Sequence, residues 1–144
     1  MVFGKARRHF TVESWRVIVE QRTDAAIVSE STVKLYANGE RIVATGEGNG
    51  PVNALDNALR QALSQIYPEL NALELVDYKV RILEGREGTA SVTRVLIETS
   101  DGRGEWDTIG VHENVIAASW SALSDAITYG LLRAGHQLGE SNSS

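Results

Sequence analysis

The feature that most constrains the fold is an internal repeat with a spacing of about 64 residues. Five small or apolar residues return 64 positions later with the same identity: Gly46, Ala54, Ala58, Leu59 and Ala62 recur as Gly110, Ala118, Ala122, Leu123 and Ala126. Trp15-Arg16-Val17 also resembles Tyr78-Lys79-Val80, 63 positions later. Such self-similarity indicates that one supersecondary unit has been duplicated within this 144-residue chain.

The first copy begins with three segments that have the pattern of β-strands. Residues 10–20 read FTVESWRVIVE, and their many β-branched side chains favour a strand. Regular alternation would place one set of side chains on each face: Val12, Ser14, Arg16 and Ile18 against Glu13, Trp15, Val17 and Val19. A second strand is predicted within 25–37, and a third within 40–46 after a hairpin turn at Asn38-Gly39.

At Gly50-Pro51 the period changes from that of a strand to that of a helix. Proline suits the first helical position because the N–H that it lacks would have no partner there. The apolar residues that follow are spaced by three or four positions and stop before Pro68: Leu55, Leu59, Leu63 and Ile66, with Ala54, Ala58 and Ala62 beside them. This spacing predicts one apolar helix face.

The same order then returns in the second copy. Strands are predicted at 75–84, 89–100 and 105–111, with a turn at Asp101-Gly102 before the last. Asn114 can cap a second helix, whose apolar residues are Ile116, Trp120, Leu123, Ile127 and Leu131. The chain is therefore predicted to be an α+β protein, built from a duplicated βββα unit whose small antiparallel sheets pack on helices.

This pattern predicts one domain at 10–134, formed by repeats at about 10–67 and 72–134. Residues 1–9 are interpreted as a linker or remnant, and 135–144 as a flexible tail. The alanine rows keep each helix face flat, so that another element can approach closely. Two helices and two small sheets would leave apolar surface uncovered, and we therefore expect a homodimer, a dimeric sandwich with the helices between the sheets.

The composition of the chain argues against several classes of partner and site. Its formal net charge of −5 argues against broad nucleic-acid binding, which needs a basic surface. There is no cysteine, so that neither a disulfide nor a thiolate metal site can form. No uninterrupted apolar run approaches the roughly 20 residues of a membrane helix, and the first residues lack a signal-peptide core. These features predict no membrane partner and a cytoplasmic location.

The glycine-rich loop GEGNGP at 46–51 raises the question of a phosphate site. A P-loop would end in Gly-Lys-Ser/Thr, and a dinucleotide fingerprint would need a βαβ context, so neither motif is present. The turn at Gly48, Asn49 and Gly50 nevertheless brings backbone N–H groups to a helix start, where a carboxylate could bind. Two interpretations stay open on spacing alone: an anion site, or a tight strand-to-helix turn.

Patterns typical of catalysis are sparse. The three histidines, His9, His112 and His136, have no metal-ligand spacing, and no serine lies in a nucleophile elbow. A small hydrolase using His112, Glu113 and Asp107 is the rival hypothesis, although His112 and Glu113 are more typical of a polar cap before a helix. The residues themselves favour a ligand-binding or assembly module, with no catalytic residues and no metal ligands.

Three stretches together resemble a known regulatory domain. They are EGNGPVNALDNALRQAL at 47–63, YPELNALELVDYKVRILEG at 67–85 and GTASVTRVLIETSDGRGEWDTIGVHENVIAASWSAL at 88–123. As linked motifs they resemble the C-terminal allosteric (dimerisation) domain of the isopropylmalate/citramalate synthase family, over about 10–134. The DYKVRIL segment and the WDTIGV turn are most similar to the citramalate synthase branch.

The resemblance implies a function for the chain. In this family a TIM barrel holds a divalent catalytic metal, acetyl-CoA and the 2-oxo acid, and none of the barrel's motifs occurs here. The resemblance therefore implies an excised regulatory domain without a cofactor of its own, which binds the amino-acid end product at the dimer interface. It implies isoleucine as the effector of a citramalate synthase. The alternatives are leucine, for a 2-isopropylmalate synthase, and a dimerisation module that binds no effector.

The resemblance also implies which residues bind the effector. Gly48, Asn49, Gly50, Val52 and Asn53 match the loop that holds it, Leu75, Tyr78 and Ile82 match the strand that lines its side chain, and Val92 is a weaker match. The loop amides would bind a carboxylate, and the Asn53 amide oxygen an ammonium group. Tyr78 and Ile82 share a strand face, whereas Leu75 either precedes the strand or is followed by a bulge.

Overall fold

The computed structural model describes residues 10–21, 23, 27–83 and 91–135. The predicted linker at 1–9 lies outside the described residues, as does the predicted tail beyond Gly135. The chain divides into two compact units, whose described residues are 10–71 with 128–135 in one and 72–127 in the other. Each unit contains one three-stranded sheet.

The first unit contains the first three predicted strands. β1 (Thr11–Gln21), β2 (Ile27–Ala37) and β3 (Glu40–Gly48) form an antiparallel sheet in the order β1-β2-β3. The hairpin between β2 and β3 turns at Asn38 and Gly39, which both have positive φ angles, of 53° and 80°. This geometry matches the primed turn that an Asn-Gly pair favours, and it confirms the predicted hairpin.

α1 (Pro51–Leu63) follows β3 and lies on β2 and β3. Its leucines and alanines at the predicted spacing are buried, as the amphipathic pattern requires: Ala54, Leu55, Ala58, Leu59, Ala62 and Leu63. The prediction that Ile66 continues this face is wrong, because the helix stops at Leu63 with Ser64 as its C-cap. The N–H groups of Ile66 and Tyr67 both donate to the Leu63 carbonyl, in a tight turn before a 3-10 helix at Pro68–Ala72.

The second unit repeats the strand order of the first. β4 (Glu74–Leu83), β5 (Val92–Ser100) and β6 (Glu105–His112) form an antiparallel sheet in the order β4-β5-β6. α2 (Val115–Arg133) follows β6, so that each sheet is followed by a helix. The predicted α+β fold with a duplicated βββα unit is therefore confirmed.

The first strand of each sheet carries a β-bulge, at the equivalent position in both. The register shifts between Val12 and Ser14 in β1, and between Leu75 and Asp77 in β4, 63 positions later. An extra residue in a strand reverses the faces of the residues on one side of it. The prediction that Val12 shares a face with Ser14 is therefore wrong, because the bulge puts Val12 on the face of Trp15, opposite the buried Leu35.

Glycines allow each helix to lie directly on the last strand of its own sheet. A Cβ atom on Gly46 would collide with the backbone of Ala58, and one on Gly110 with the carbonyl oxygen of Ala118. In the second unit this contact continues by hydrogen bonds: Thr108 Oγ1 donates to the Ala122 carbonyl at 2.7 Å. The duplicated glycine and alanine residues are therefore the points of close helix–strand packing.

α2 is long and apolar enough, by length and composition alone, to cross a membrane. Its buried residues instead follow the three- and four-residue spacing of a core helix: Ala118, Ala122, Leu123, Ala126, Ile127 and Leu131. The contacts of Ala118, Ala122 and Ala126 with β6 identify one side of this helix as the cover of its own sheet.

Candidate functional site

The start of α1 leaves backbone N–H groups open. Gly50 is the N-cap, with extended φ and ψ of −152° and 173°, and no side chain caps the helix there. Pro51 has no N–H, and the first helical hydrogen bond is donated by Ala54 to the Gly50 carbonyl at 3.0 Å. The N–H groups of Val52 and Asn53 therefore have no helical acceptor, and they lie at the positive end of the helix dipole.

The loop before this helix is held in place by contacts with α1 itself. Asn57 Nδ2 donates to the Glu47 carbonyl at 2.6 Å, which ties the end of β3 to the second turn of α1. Gly48 is needed for packing, because a Cβ atom there would lie 2.7 Å from the Ala54 nitrogen. The Val52 side chain is buried, so that this residue offers its backbone alone to a ligand.

At the start of α2, in contrast, a side chain caps the backbone N–H groups that have no helical acceptor. Asn114 Oδ1 accepts hydrogen bonds from the backbone N–H groups of Ile116, at 2.8 Å, and Ala117, at 3.1 Å. This is the side-chain cap that the sequence predicted at Asn114. The equivalent donors of α1 have no such acceptor, and so the first repeat alone has a helix start that is open to an external anion.

The bulge in β4 brings the predicted strand residues onto one face. Leu75 lies directly opposite Thr99, Tyr78 opposite Ile97, and Ile82 opposite Thr93. These β5 residues are all buried on the side of the sheet that faces α2. The alternative that a bulge follows Leu75 is therefore the one observed. Tyr78 is 37% exposed and Ile82 66% exposed, although they share the face of buried residues.

Val92 does not join this face. It lies opposite Leu83, on the other side of the second sheet. The structure thus groups the predicted residues Gly48, Asn49, Gly50, Val52 and Asn53 at one helix start in the first unit. It groups Leu75, Tyr78 and Ile82 on one strand face in the second unit, and it places Val92 apart from them.

The register also separates the residues of the rival hydrolase hypothesis. His112 lies opposite the buried Thr93, whereas Asp107 lies opposite Glu98 on the other face of the sheet. His112 Nδ1 accepts a hydrogen bond from the Asn114 backbone at 3.0 Å, so that it takes part in the turn before α2. His112 and Asp107 are therefore on opposite faces of β6, and the structure does not bring them together.

Sequence reasoning missed a partly buried ion pair inside α1. Arg60 Nε donates to both carboxylate oxygens of Asp56, at 2.9 and 3.0 Å, and Arg60 Nη1 donates to the Leu70 carbonyl at 3.0 Å. Burial raises the pKa of Asp56 above its ordinary value, and the neighbouring Arg60 only partly offsets this effect. The i,i+4 spacing of the two residues was the available signal. The pair ties the 3-10 helix at Pro68–Ala72 to α1.

Comparison with known proteins adds a family to this geometry. Residues 1–131 match the family described as the LeuA allosteric (dimerisation) domain. The chain is 70% identical over 132 residues to an (R)-citramalate synthase of Streptomyces coelicolor, covering 92% of this chain and 25% of that protein. It is 47% identical over 132 residues to the (R)-citramalate synthase of Aquifex aeolicus, covering 91% and 25%.

A relative of another name is less similar. The 2-isopropylmalate synthase of Aquifex aeolicus is 32% identical over 107 residues, which cover 74% of this chain and 19% of that protein. The chain thus spans about a quarter of the length of the two citramalate synthases named above.

Proposed function

This chain belongs to the LeuA allosteric (dimerisation) domain family, and we propose that it is the regulatory segment of an (R)-citramalate synthase. In this proposal it binds isoleucine as a feedback inhibitor and pairs with a second copy of itself. The catalytic reaction, with its divalent metal and acetyl-CoA, belongs to a TIM barrel elsewhere in the parent protein. The proposed location is the cytoplasm.

The observation that carries the proposal is the open start of α1. A free amino acid presents a carboxylate, and backbone N–H groups at a helix start bind such anions. Val52 and Asn53 supply these groups, because Gly50 contributes no side-chain cap and Pro51 no N–H. Asn53 is exposed beside them, so that its amide oxygen can accept a hydrogen bond from the ammonium group.

The exposed face of β4 supports the second half of the proposal. Leu75, Tyr78 and Ile82 provide apolar contact area on the side of the sheet that also carries a buried core. Apolar surface in this position is stabilised by a cover, which can be an effector side chain, a second copy of the chain or both. We propose that these three residues line the pocket for the branched side chain and that Val92 makes no contact with it.

The choice of isoleucine rests on the similarity to citramalate synthases. Of the two Aquifex aeolicus relatives, the one named (R)-citramalate synthase is 47% identical and the one named 2-isopropylmalate synthase 32%. Isoleucine and leucine differ only in the placement of a methyl group, which is worth about 1–3 kcal/mol in a shaped pocket. Leucine, as the effector of a 2-isopropylmalate synthase, is the second candidate.

Calorimetry with isoleucine, leucine and valine in parallel tests this proposal on the purified chain. We expect isoleucine to bind more tightly than leucine, in a ratio of about ten or more. Tyr78→Ala should weaken isoleucine binding, whereas Tyr129→Ala, at a comparably exposed tyrosine of α2, should leave it unchanged. A preference for leucine would favour the regulatory domain of a 2-isopropylmalate synthase. If none of the three amino acids gives a heat of binding, the chain is a dimerisation module without an effector.

A further inference from the structure

The outer face of the second sheet carries its charges in two separate blocks. This face consists of the residues of β4, β5 and β6 that alternate with those facing α2. Strand register aligns them in rows across the sheet: an acid row of Asp77, Glu98 and Asp107, a middle row of Lys79, Leu96 and Ile109, and a basic row of Arg81, Arg94 and Val111.

The acid row brings three carboxylates together as direct cross-strand neighbours. Like charges in this arrangement are unfavourable. The pKa of the Glu98 carboxyl is raised above its ordinary value, first by a side-chain hydrogen bond that the protonated Glu98 donates to Glu105, and then by burial and by the negative charges of Glu105, Asp107 and Asp77. Within the described ranges, no ion pair involves the three residues of this row.

The basic row has the converse arrangement. Arg81 lies directly opposite Arg94, and the two guanidinium groups line a shallow cavity of about 420 Å³ together with Lys79 and Leu96. No acidic partner of these three cations is found in the part of the chain that the structure describes. Arg94 and Glu98 are four positions apart in β5, a distance of about 13 Å at the rise of a strand.

We propose that this outer face is an interface that binds the same face of a second copy of the chain. A two-fold axis along the middle row would reverse the strand direction of the partner. Each acid row would then lie over the partner's basic row, and the three middle-row residues, Lys79, Leu96 and Ile109, would meet their own copies at the axis. A second copy pairs Asp77 and Glu98 with Arg81 and Arg94 on both sides of the axis, because it carries the same two rows in reverse order, whereas Asp107 lies over Val111.

This interface is distinct from the effector pocket and from the pairing proposed above, and it depends on neither. Three rows of three strands measure about 15 by 20 Å from the spacings of a β-sheet. An interface of this size is small, so that the association is weak and is weakened further by salt. As the protein concentration rises, the mass of the smallest particle that the chain forms should double.

Chemical crosslinking tests the position of the axis. The chain contains no cysteine, so that Leu96→Cys introduces a single thiol on the proposed axis. A short bifunctional thiol reagent that spans sheets stacked about 10 Å apart should join two copies. Val43→Cys is the matched control, since Val43 is 51% exposed on the outer face of the first sheet. Equal crosslinking of both variants, or of neither, would overturn the proposal.

Charge reversal tests the complementarity. Arg81→Glu with Arg94→Glu replaces both cations of the basic row by carboxylates, and Asp77→Lys with Glu98→Lys replaces two of the three carboxylates of the acid row by cations. Sedimentation should show that each double variant alone self-associates with an affinity at least about ten times lower than that of the wild type. An equimolar mixture of the two should restore the wild-type affinity. That recovery also shows that both variants are folded.

Three results would contradict the interface. They are wild-type particles whose mass does not change up to millimolar concentration, variants that associate like the wild type, and a mixture that fails to recover. Titration with inorganic phosphate completes the experiment. If phosphate saturates the basic row at micromolar concentration while the particle mass stays constant, the row is an anion site and the proposed pairing is wrong.

Discussion

The two βββα repeats share their topology but differ in what their surfaces leave unsatisfied. Each has a bulged edge strand, a central strand with one buried face, and a glycine against the following helix. The start of the second helix is closed by the Asn114 side chain, and the start of the first helix is open. On the outer faces of the sheets it is the first repeat that pairs its charges: Arg41 forms an ion pair with Glu13 at 2.8 Å. On the second sheet the charges are segregated into an acid row and a basic row.

This contrast shows how a duplicated unit can acquire two roles. The residues that hold the fold together recur in both repeats, because both helices need the same close approach to their sheets. The residues at the helix starts and on the outer faces do not carry that constraint and have diverged. Their differences therefore point to binding, whereas the shared positions point to stability.

The largest effect is expected at the glycines that the repeats share. Gly110→Ala should lower the free energy of unfolding by about 3 kcal/mol, because the new methyl group would overlap the Ala118 carbonyl and force the helix away from β6. Gly46→Ala should cost a similar amount in the first repeat. Urea denaturation measures both, with the exposed Val111→Ala as the control. A loss confined to one repeat would show that the two helix–sheet contacts are not equivalent.

The next effect concerns the open helix start. Gly50→Asp should reduce isoleucine affinity about a hundredfold, because an N-cap carboxylate occupies the same N–H groups and repels the ligand. Gly50 has an extended backbone that any residue adopts, so the substitution should leave the fold intact. The loss of binding is thus expected from the cap and its charge alone, because this backbone conformation does not require glycine.

A matched pair of substitutions separates the cap from the charge. Gly50→Asn would copy the cap of the second repeat without a charge and should also weaken binding, whereas Gly50→Ala provides no acceptor and should bind nearly as the wild type does. Calorimetry with isoleucine compares the three variants. Undiminished binding to Gly50→Asp would mean that this loop is only a turn.

The cap of the second repeat gives a smaller effect on stability. Asn114→Ala should lower the free energy of unfolding by about 1 kcal/mol, because the N–H groups of Ile116 and Ala117 would lose their acceptor. Isoleucine binding should be unchanged, since this helix start is filled by its own side chain. Urea denaturation and calorimetry on the same protein would check both expectations. Weaker isoleucine binding by this variant would mean that the effector binds at the start of α2, in the second repeat, and not at the start of α1.

The smallest effect is a pH dependence of stability that comes from Asp56, a buried carboxylate of the first repeat. Burial raises the pKa of Asp56 in the folded state, so that the folded protein holds this proton more tightly than the unfolded chain. The free energy of unfolding should therefore fall as the pH rises from about 3.9, the ordinary pKa of aspartate, through the raised value. Asp56→Asn should remove this contribution. Urea denaturation between pH 4 and 8, with wild type and variant in parallel, measures the difference.

Much of the fold could be predicted because its signals are local. Strand alternation, the Asn38-Gly39 turn and the leucine and alanine spacing of α1 each depend on neighbours within a few residues. The faces of β1 could not be predicted, because Glu13 looks like any other strand residue and its bulge is decided by pairing with β2. For Leu75 the spacing allowed two alternatives, and pairing with β5 selected the bulge.

The candidate site divides in the same way. The loop at Gly50 was singled out from its glycines and from a resemblance, and the structure adds that the helix start there has no side-chain cap, which supports the proposed site. The Asp56–Arg60 pair was missed although its spacing was visible, because spacing does not tell whether a helical aspartate is buried. Val92 was grouped with Tyr78 from similarity, and the register separates them.

The sequence by itself determined the duplication, the order of the strands and helices, and the glycine and alanine positions where helix meets strand. These depend on backbone preferences and on side-chain volume, which each residue carries with it wherever it lies. Only the tertiary structure decided which residues share a face. The acid row of Asp77, Glu98 and Asp107 combines three strands that are distant in sequence, and cross-strand register, with its bulge, sets them side by side.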